Sequence, residues 1–373
     1  MRNAVSSTNM HTLFFSLIRL SIGTNDSLSR QPSVEEWSEL YRMAMKQSLV
    51  GICFVGVRKY METAKQSGEK TSIPLKVYYQ WLGTAAQIQQ RNELMNRRCV
   101  ELQTKLCSSG LKSSILKGQG VAALYHSELK NFRQSGDIDV YVDCNREKSI
   151  EYAKSIGQDS VNWDYKHLHL KIFEDTAVEM HYRPEVLLNL VKNNKLQKWF
   201  KTKESLALIF QQNEGLVTPS VVFNKFYILL HIYRHFFYEG IGLRQLMDYY
   251  FVLRAAGHQD DNSIVQETIE KFGMKRFAEG IMWIMLHVFG LEKHYLLYAP
   301  NEKEGQYILS QIMEGGNFGH HDRRLKADRH QGKYGAVKKI LRHNLHLVTR
   351  YPSETVWAPV WIVYHWCWKK WVR

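Results

Sequence analysis

The chain has 373 residues, 45% hydrophobic and 23% charged, the balance of a folded globular protein and not of a disordered one. No apolar stretch approaches the length of a bilayer span, so no transmembrane helix is expected. The formal net charge of +14 suits an anionic partner, whether nucleotide, nucleic acid, phospholipid or phosphorylated carbohydrate.

The N-terminal run Phe14, Phe15, Leu17 and Ile18 is short, preceded by polar residues and broken by Arg19, which is not the pattern of a secretory signal. From Val34 to Lys65 apolar residues at helical spacing predict a helical pair with a break near Gly51. A second helical stretch starts after Pro74 and stops at Ser108-Ser109-Gly110. The pattern then changes. Ser113 to Leu116 reads as a strand, Val121 to His126 as a short helix, Ile138 to Val142 as a strand and Glu147 to Ile156 as a helix. His167 to Phe173 and Ala177 to Tyr182 alternate and read as a hairpin. Helical spacing returns over Asn224 to Tyr238, Leu243 to Ala256 and Met274 to Leu291. Five cysteines, an odd number with no C-x-x-C pair, favour a reducing cytoplasm over a structural zinc site.

Chemistry concentrates in Ser135-Gly136-Asp137-Ile138-Asp139-Val140. Residues two apart on a strand share a face, which sets the Asp137 and Asp139 carboxylates side by side, roughly 7 Å apart at the backbone. Such a pair repels itself unless a cation intervenes, and Mg2+ is the hard ion that carboxylate oxygens prefer. Glu179 lies mid-strand among apolar residues, where a carboxylate is costly unless paired or metal-bound. If its strand lies beside that of Asp137, three carboxylates would suffice for two Mg2+ ions. Lys117-Gly118-Gln119-Gly120, between a strand and a helix, offers glycines and a cation for a phosphate cradle, although turn glycines alone would give the same tetrapeptide.

Lys117-Gly118, a helix, Tyr125 and then Arg133-Gln134-Ser135-Gly136-Asp137-Ile138-Asp139 together resemble the nucleotidyltransferase superfamily. More narrowly, they resemble a bacterial family of uncharacterised nucleotidyltransferases often encoded near surface-polysaccharide genes. In that family the third carboxylate is followed by His and an aromatic, as in Glu179-Met180-His181-Tyr182 here. The core alone is also similar to nucleotidyltransferase toxins of abortive-infection systems. The helical segment with His231, His235 and Gly240 to Tyr249 looks like the family's C-terminal part. Two features depart from the superfamily: Lys117-Gly118 replaces a glycine pair or Gly-Ser, and the distance from Gly118 to Asp137 is longer.

The resemblance implies an α+β fold, with a small mixed sheet in residues 111–185 flanked by helical regions at 1–110 and 186–373. It implies a cytoplasmic, Mg2+-dependent transfer of a nucleoside monophosphate from a nucleoside triphosphate to an acceptor, which could be a sugar, protein or RNA. Asp137 and Asp139 would ligate the metal, and Glu179 would ligate a second ion or act as base. Lys117, Gly118, Arg133, Ser135, Gly136, Arg244 and Asp248 would lie on the nucleotide side. Arg133 fits a structural ion pair equally well, and Arg244 and Asp248, four apart, fit an ordinary helix pair. Two other classes compete: a toxin-like transferase acting on tRNA or protein, and a non-catalytic nucleotide-binding or scaffold protein.

His231 and His235 have a zinc-compatible spacing, but with no acidic third ligand evident, packed core histidines are expected. His167 and His169 share a strand face and are not expected at the cleft. Basic residues crowd the last sixty positions, among them Arg323, Arg324, Lys326, Arg329, Lys333, Lys338, Lys339, Arg342 and Arg350. The tail from Val356 to Trp371 holds five of the ten tryptophans. It could contact a membrane interface through its Trp and Lys residues, but docking on the other helices is favoured.

Overall fold

A computed structural model describes residues 2–213, 215–255, 262–317, 342, 344, 345 and 347–371, the side chains of residues 2–8 excepted. The N-terminal part forms α1 (Arg2–Ile22), α2 (Val34–Gln47), α3 (Val50–Gln66) and α4 (Leu75–Ser108). α2 starts at a capping box, in which the Ser33 hydroxyl accepts from the Glu36 amide and the Glu36 carboxylate accepts from the Ser33 amide at 2.8 Å. It stops at Ser48, whose φ of +55° is left-handed, so the break precedes Gly51, which lies inside α3. The run around Phe14 is one side of α1: Phe14, Leu17 and Ile18 are fully buried, and α1 packs on α3 and α13 (Lys275–Phe289).

The middle of the chain alternates short strands and helices: β1 (Ser113–Ile115), α5 (Gln119–Ala122), α6 (Ser127–Lys130), β2 (Ile138–Val142), α7 (Arg146–Ser155), β3 (Asn162–Trp163), β4 (His167–Leu170) and β5 (Val178–His181). The sheet order is β1-β2-β5-β4-β3. Only β2 and β5 run parallel, and the expected hairpin is the antiparallel pair β4–β5.

Period-two alternation gives this sheet two unlike faces. Ile138, Val140, Leu168, Val178 and Met180 pack against Met95, Cys99, Leu102 and Leu106 of α4 and Tyr152 of α7. The opposite face carries Asp139, Glu179, His181 and His167, with Asp139 beside Glu179 and His181 beside His167 in register. Burying the apolar face is worth roughly 1.5–3 kcal/mol per large side chain, and it fixes the strand register. A one-residue slip would carry the carboxylates into that core.

After β5 come α8 (Leu190–Phe200), α9 (Lys203–Ile209), the small hairpin β6 (Gln211–Asn213) and β7 (Leu216–Thr218), α10 (Val221–Tyr238), α11 (Leu243–Arg254), α12 (Ser263–Lys271), α13 and α14 (Glu302–Gly315). One hydrophobic core runs through both helical regions, joining Leu17, Trp37 and Trp81 to Tyr227, Leu246 and Ile281. The architecture is α+β, with the mixed sheet set among helices.

The Trp-rich tail forms a helix over Trp357–Trp371. One side docks: Trp361 and Trp368 lie against Tyr165 with ring centroids 5.1 and 4.9 Å apart. Val363, Trp366 and Trp371 stay exposed. Among the described residues no helix is long and apolar enough to cross a membrane. Ala256 and the basic residues from Arg323 to Lys339 lie outside the described residues.

Candidate active site

The polar face of the sheet forms one wall of a cavity of about 360 Å³, and α10 and α11 form the other. Lys117 follows β1, and its ammonium lies 2.8 Å from Asp139 Oδ1. Gly118, next in the chain, has φ +56°, a conformation that favours glycine. A Cβ on Gly120 would strike the Ile115 carbonyl oxygen. This tight turn aims Lys117 at β2. The loop entering β2 is tied to α4, because the Asn92 amide donates to the carbonyls of Asn131 (2.7 Å) and Arg133 (2.6 Å).

Asp137, Asp139 and Glu179 each place an oxygen within 4.8 Å of the others. Asp139 is buried and accepts from His181 Nε2 at 2.8 Å, while Asp137 is exposed. Burial opposes ionisation of Asp139, yet Lys117 and His181 hold its carboxyl well below the usual range. For Asp137 the neighbouring Asp139 charge is the leading cause, and it raises the pKa. Burial also opposes ionisation of Glu179, but the His181 contact brings its pKa to about 2. Three carboxylates on one wall, two of them held ionised, form an all-oxygen donor set that fits a hard divalent ion.

Two further trios contain histidine. His167 Nδ1 and His181 Nε2 each lie 3.4 Å from Glu179 Oε2. Glu185, His231 and His235 also have ligand atoms within 4.8 Å of one another. Glu185 is the acidic neighbour of His231 that spacing did not reveal, 3.0 Å from its Nδ1. That carboxylate already faces Lys166 at 3.3 Å and Arg234 at 3.4 Å, so a metal there would meet two cations for one anion. This last trio is a poor metal site.

Arg133 crosses to α11. Its Nε and Nη2 donate to Asp248 Oδ1 and Oδ2 at 2.7 and 2.8 Å, and the Tyr125 hydroxyl donates to the same carboxylate at 2.6 Å. Arg133 therefore forms the structural ion pair, and its partner is Asp248 across 115 positions. Arg244 donates to the Gln134 carbonyl at 2.9 Å, fixing the residue next to Arg133.

Lys117, Gly118, Arg133, Gly136, Asp137, Asp139, Glu179, Arg244 and Asp248 all line the cavity, and Ser135 does not. His167, His231 and His235 line it as well. Lys166, Arg234 and Glu239 complete the charged lining and carried no sequence signal, because each is a lone charged residue in an otherwise ordinary segment. His181 was visible only as the residue two beyond Glu179.

Two consequences are measurable. Asp248→Asn should lower stability in urea by about 3–5 kcal/mol, because it strands a buried guanidinium, whereas the triple variant Tyr125→Phe/Arg133→Met/Asp248→Leu, which also removes the hydroxyl that Asp248 accepts from, should recover most of that loss. Acidification is the second. Burial, then the His181 charge, push His167 down to about 3, and burial lowers His231 and His235. Such histidines take up protons in the unfolded chain before the folded one, so stability falls as pH drops below the unfolded value near 6.5. His181 is raised by its carboxylate partners against burial and acts in the opposite sense. The lowered histidines outweigh His181, so urea titrations should show a net loss of stability between roughly pH 7 and pH 5.

Comparison with known proteins agrees with this geometry at the level of family. No curated protein and no solved structure matches the chain. The sequence pattern of a family described as uncharacterised nucleotidyltransferase matches residues 33–290, a span that includes α2 to α13 and every residue of the cavity wall. The chain belongs to the uncharacterised nucleotidyltransferase family.

Proposed function

We propose that the protein moves a nucleoside monophosphate from a nucleoside triphosphate to an acceptor hydroxyl or phosphate, releasing pyrophosphate, with Mg2+ held by Asp137, Asp139 and Glu179. The observation that carries this reading is the trio of carboxylate oxygens within 4.8 Å of one another, in a cavity whose lining also includes Lys117, Lys166, Arg234 and Arg244. A compact anionic centre beside cationic side chains suits a metal-chelated polyphosphate.

Bound there, divalent metal would neutralise phosphate charge and stabilise the attacking and leaving oxygens. The residues divide the remaining work. Asp139 stays ionised at low pH through Lys117 and His181, so it is a ready ligand. Asp137, exposed and electrostatically the more basic of the two aspartates, is the ligand that a proton competes for. Glu179 would hold a second ion or take the acceptor proton. Lys117 and Arg244 present positive charge to non-bridging oxygens, where negative charge builds in the transition state. Arg133 contributes by fixing α11 to the β2 loop.

Incubation with nucleoside triphosphates labelled at the α-phosphate and a fractionated extract tests the reading. Wild type should transfer label to an acceptor that the product identifies. Asp137→Ala/Asp139→Ala should lose at least about a thousandfold in rate, the scale of several kcal/mol of metal-derived stabilisation. A wild type that never transfers label, with a double variant that binds Mg-nucleotide as well as wild type, would refute it.

A further inference from the structure

β4 supplies an element that an all-carboxylate centre does not need. His167 is 8% exposed, and its Nδ1 has no hydrogen-bond partner among the described residues. That nitrogen lies 3.4 Å from Glu179 Oε2, and His181 Nε2, which donates to Asp139, lies 3.4 Å from the same oxygen, so an ion bound there would displace the His181 proton. An imidazole nitrogen buried without a partner is costly, and a cation between it and the nearby carboxylate would satisfy both.

The spacing indicates which kind. Donors bound at about 2.1 Å to one four- to six-coordinate ion stand roughly 3.0–3.4 Å apart, and both nitrogen-to-oxygen separations fall at that limit. The far side of His167 faces a carboxylate. Its Nε2 lies 3.8 Å from Asp164 Oδ2, and the other Asp164 oxygen accepts from the amides of Lys166 (2.8 Å) and His167 (3.1 Å). At 3.8 Å the Nε2 contact is no hydrogen bond, but the charge of a nearby carboxylate favours a cation on the ring's other nitrogen. Register makes the trio possible, since His181 stands opposite His167 on β4 and two residues beyond Glu179 on β5.

We propose that His167, Glu179 and His181 form a nitrogen-containing site for a borderline divalent ion of the Zn2+, Mn2+ or Co2+ class, distinct from the hard, all-oxygen position at Asp137 and Asp139. Imidazole suits these ions, whereas Mg2+ prefers oxygen and retains its waters. Glu179 bridges the two positions. The inference rests on the transferase reading only for the identity of the neighbouring position.

Chelator-stripped full-length protein is titrated with Co2+ in excess Mg2+, following visible d–d absorption and heat of binding, with Mg-nucleotide binding measured separately. One equivalent of Co2+ should develop bands that Mg2+ does not displace. His167→Ala should weaken Co2+ binding by at least about a hundredfold, beyond what loss of an outer-shell partner costs. His167→Gln, which keeps a buried polar side chain, should lose the bands as well, and His169→Ala, on the same strand but outside the trio, should keep them. Absence of Mg2+-resistant bands in wild type, or their persistence in both His167 variants, overturns the inference. If Mg-nucleotide still binds in that case, the transferase reading stands alone; if it does not, both fall. Co2+ bands without Mg-nucleotide binding would support this site and count against the transferase reading.

Discussion

Everything at the cavity follows from crowding negative charge onto one face of two adjacent strands. Asp139 and Glu179 are register partners on β2 and β5, too close to remain ionised in a partly dry setting without compensation. The fold provides that compensation with one side chain from outside the two strands and one from the end of β5. Lys117 reaches Asp139 from the turn after β1, and His181 stands between the two carboxylates. The apolar face of the same strands cannot turn over without burying charge against α4, so packing and electrostatics demand the same register.

A second layer of ion pairs holds the helical wall in place. Arg133 and Asp248 join the β2 loop to α11, and Lys166, Arg234 and His231 converge on the fully buried Glu185. Removing one partner from such a network is far more costly than surface ion pairs suggest, because the remaining charge cannot regain water. The cavity is thus a charged cleft braced by buried ion pairs.

Much of this was legible in the sequence, for physical reasons. Asp137-Ile138-Asp139 and Val178-Glu179-Met180 are acidic interruptions of an alternating apolar pattern, and only a strand with one buried and one functional face makes that economical. The Lys-Gly turn could be placed because left-handed backbone favours glycine. What escaped was set by long-range pairing. Glu185 meets His231 across 46 positions and Arg133 meets Asp248 across 115, and neither residue type nor local spacing encodes those meetings. His167 was set aside because a strand histidine has no directional signal until its neighbouring strand is known. The break expected near Gly51 falls just before it, at Ser48, where serine takes the left-handed conformation that glycine usually supplies.

The central claim is that Asp137 and Asp139 hold the metal that carries the nucleotide, and crystals grown with Mn2+ and a triphosphate analogue resistant to α–β cleavage test it most directly. Anomalous scattering should place manganese between the two aspartates, in contact with the analogue's phosphates. Nucleotide bound elsewhere, or bound in the cavity with no metal touching either aspartate, would contradict it.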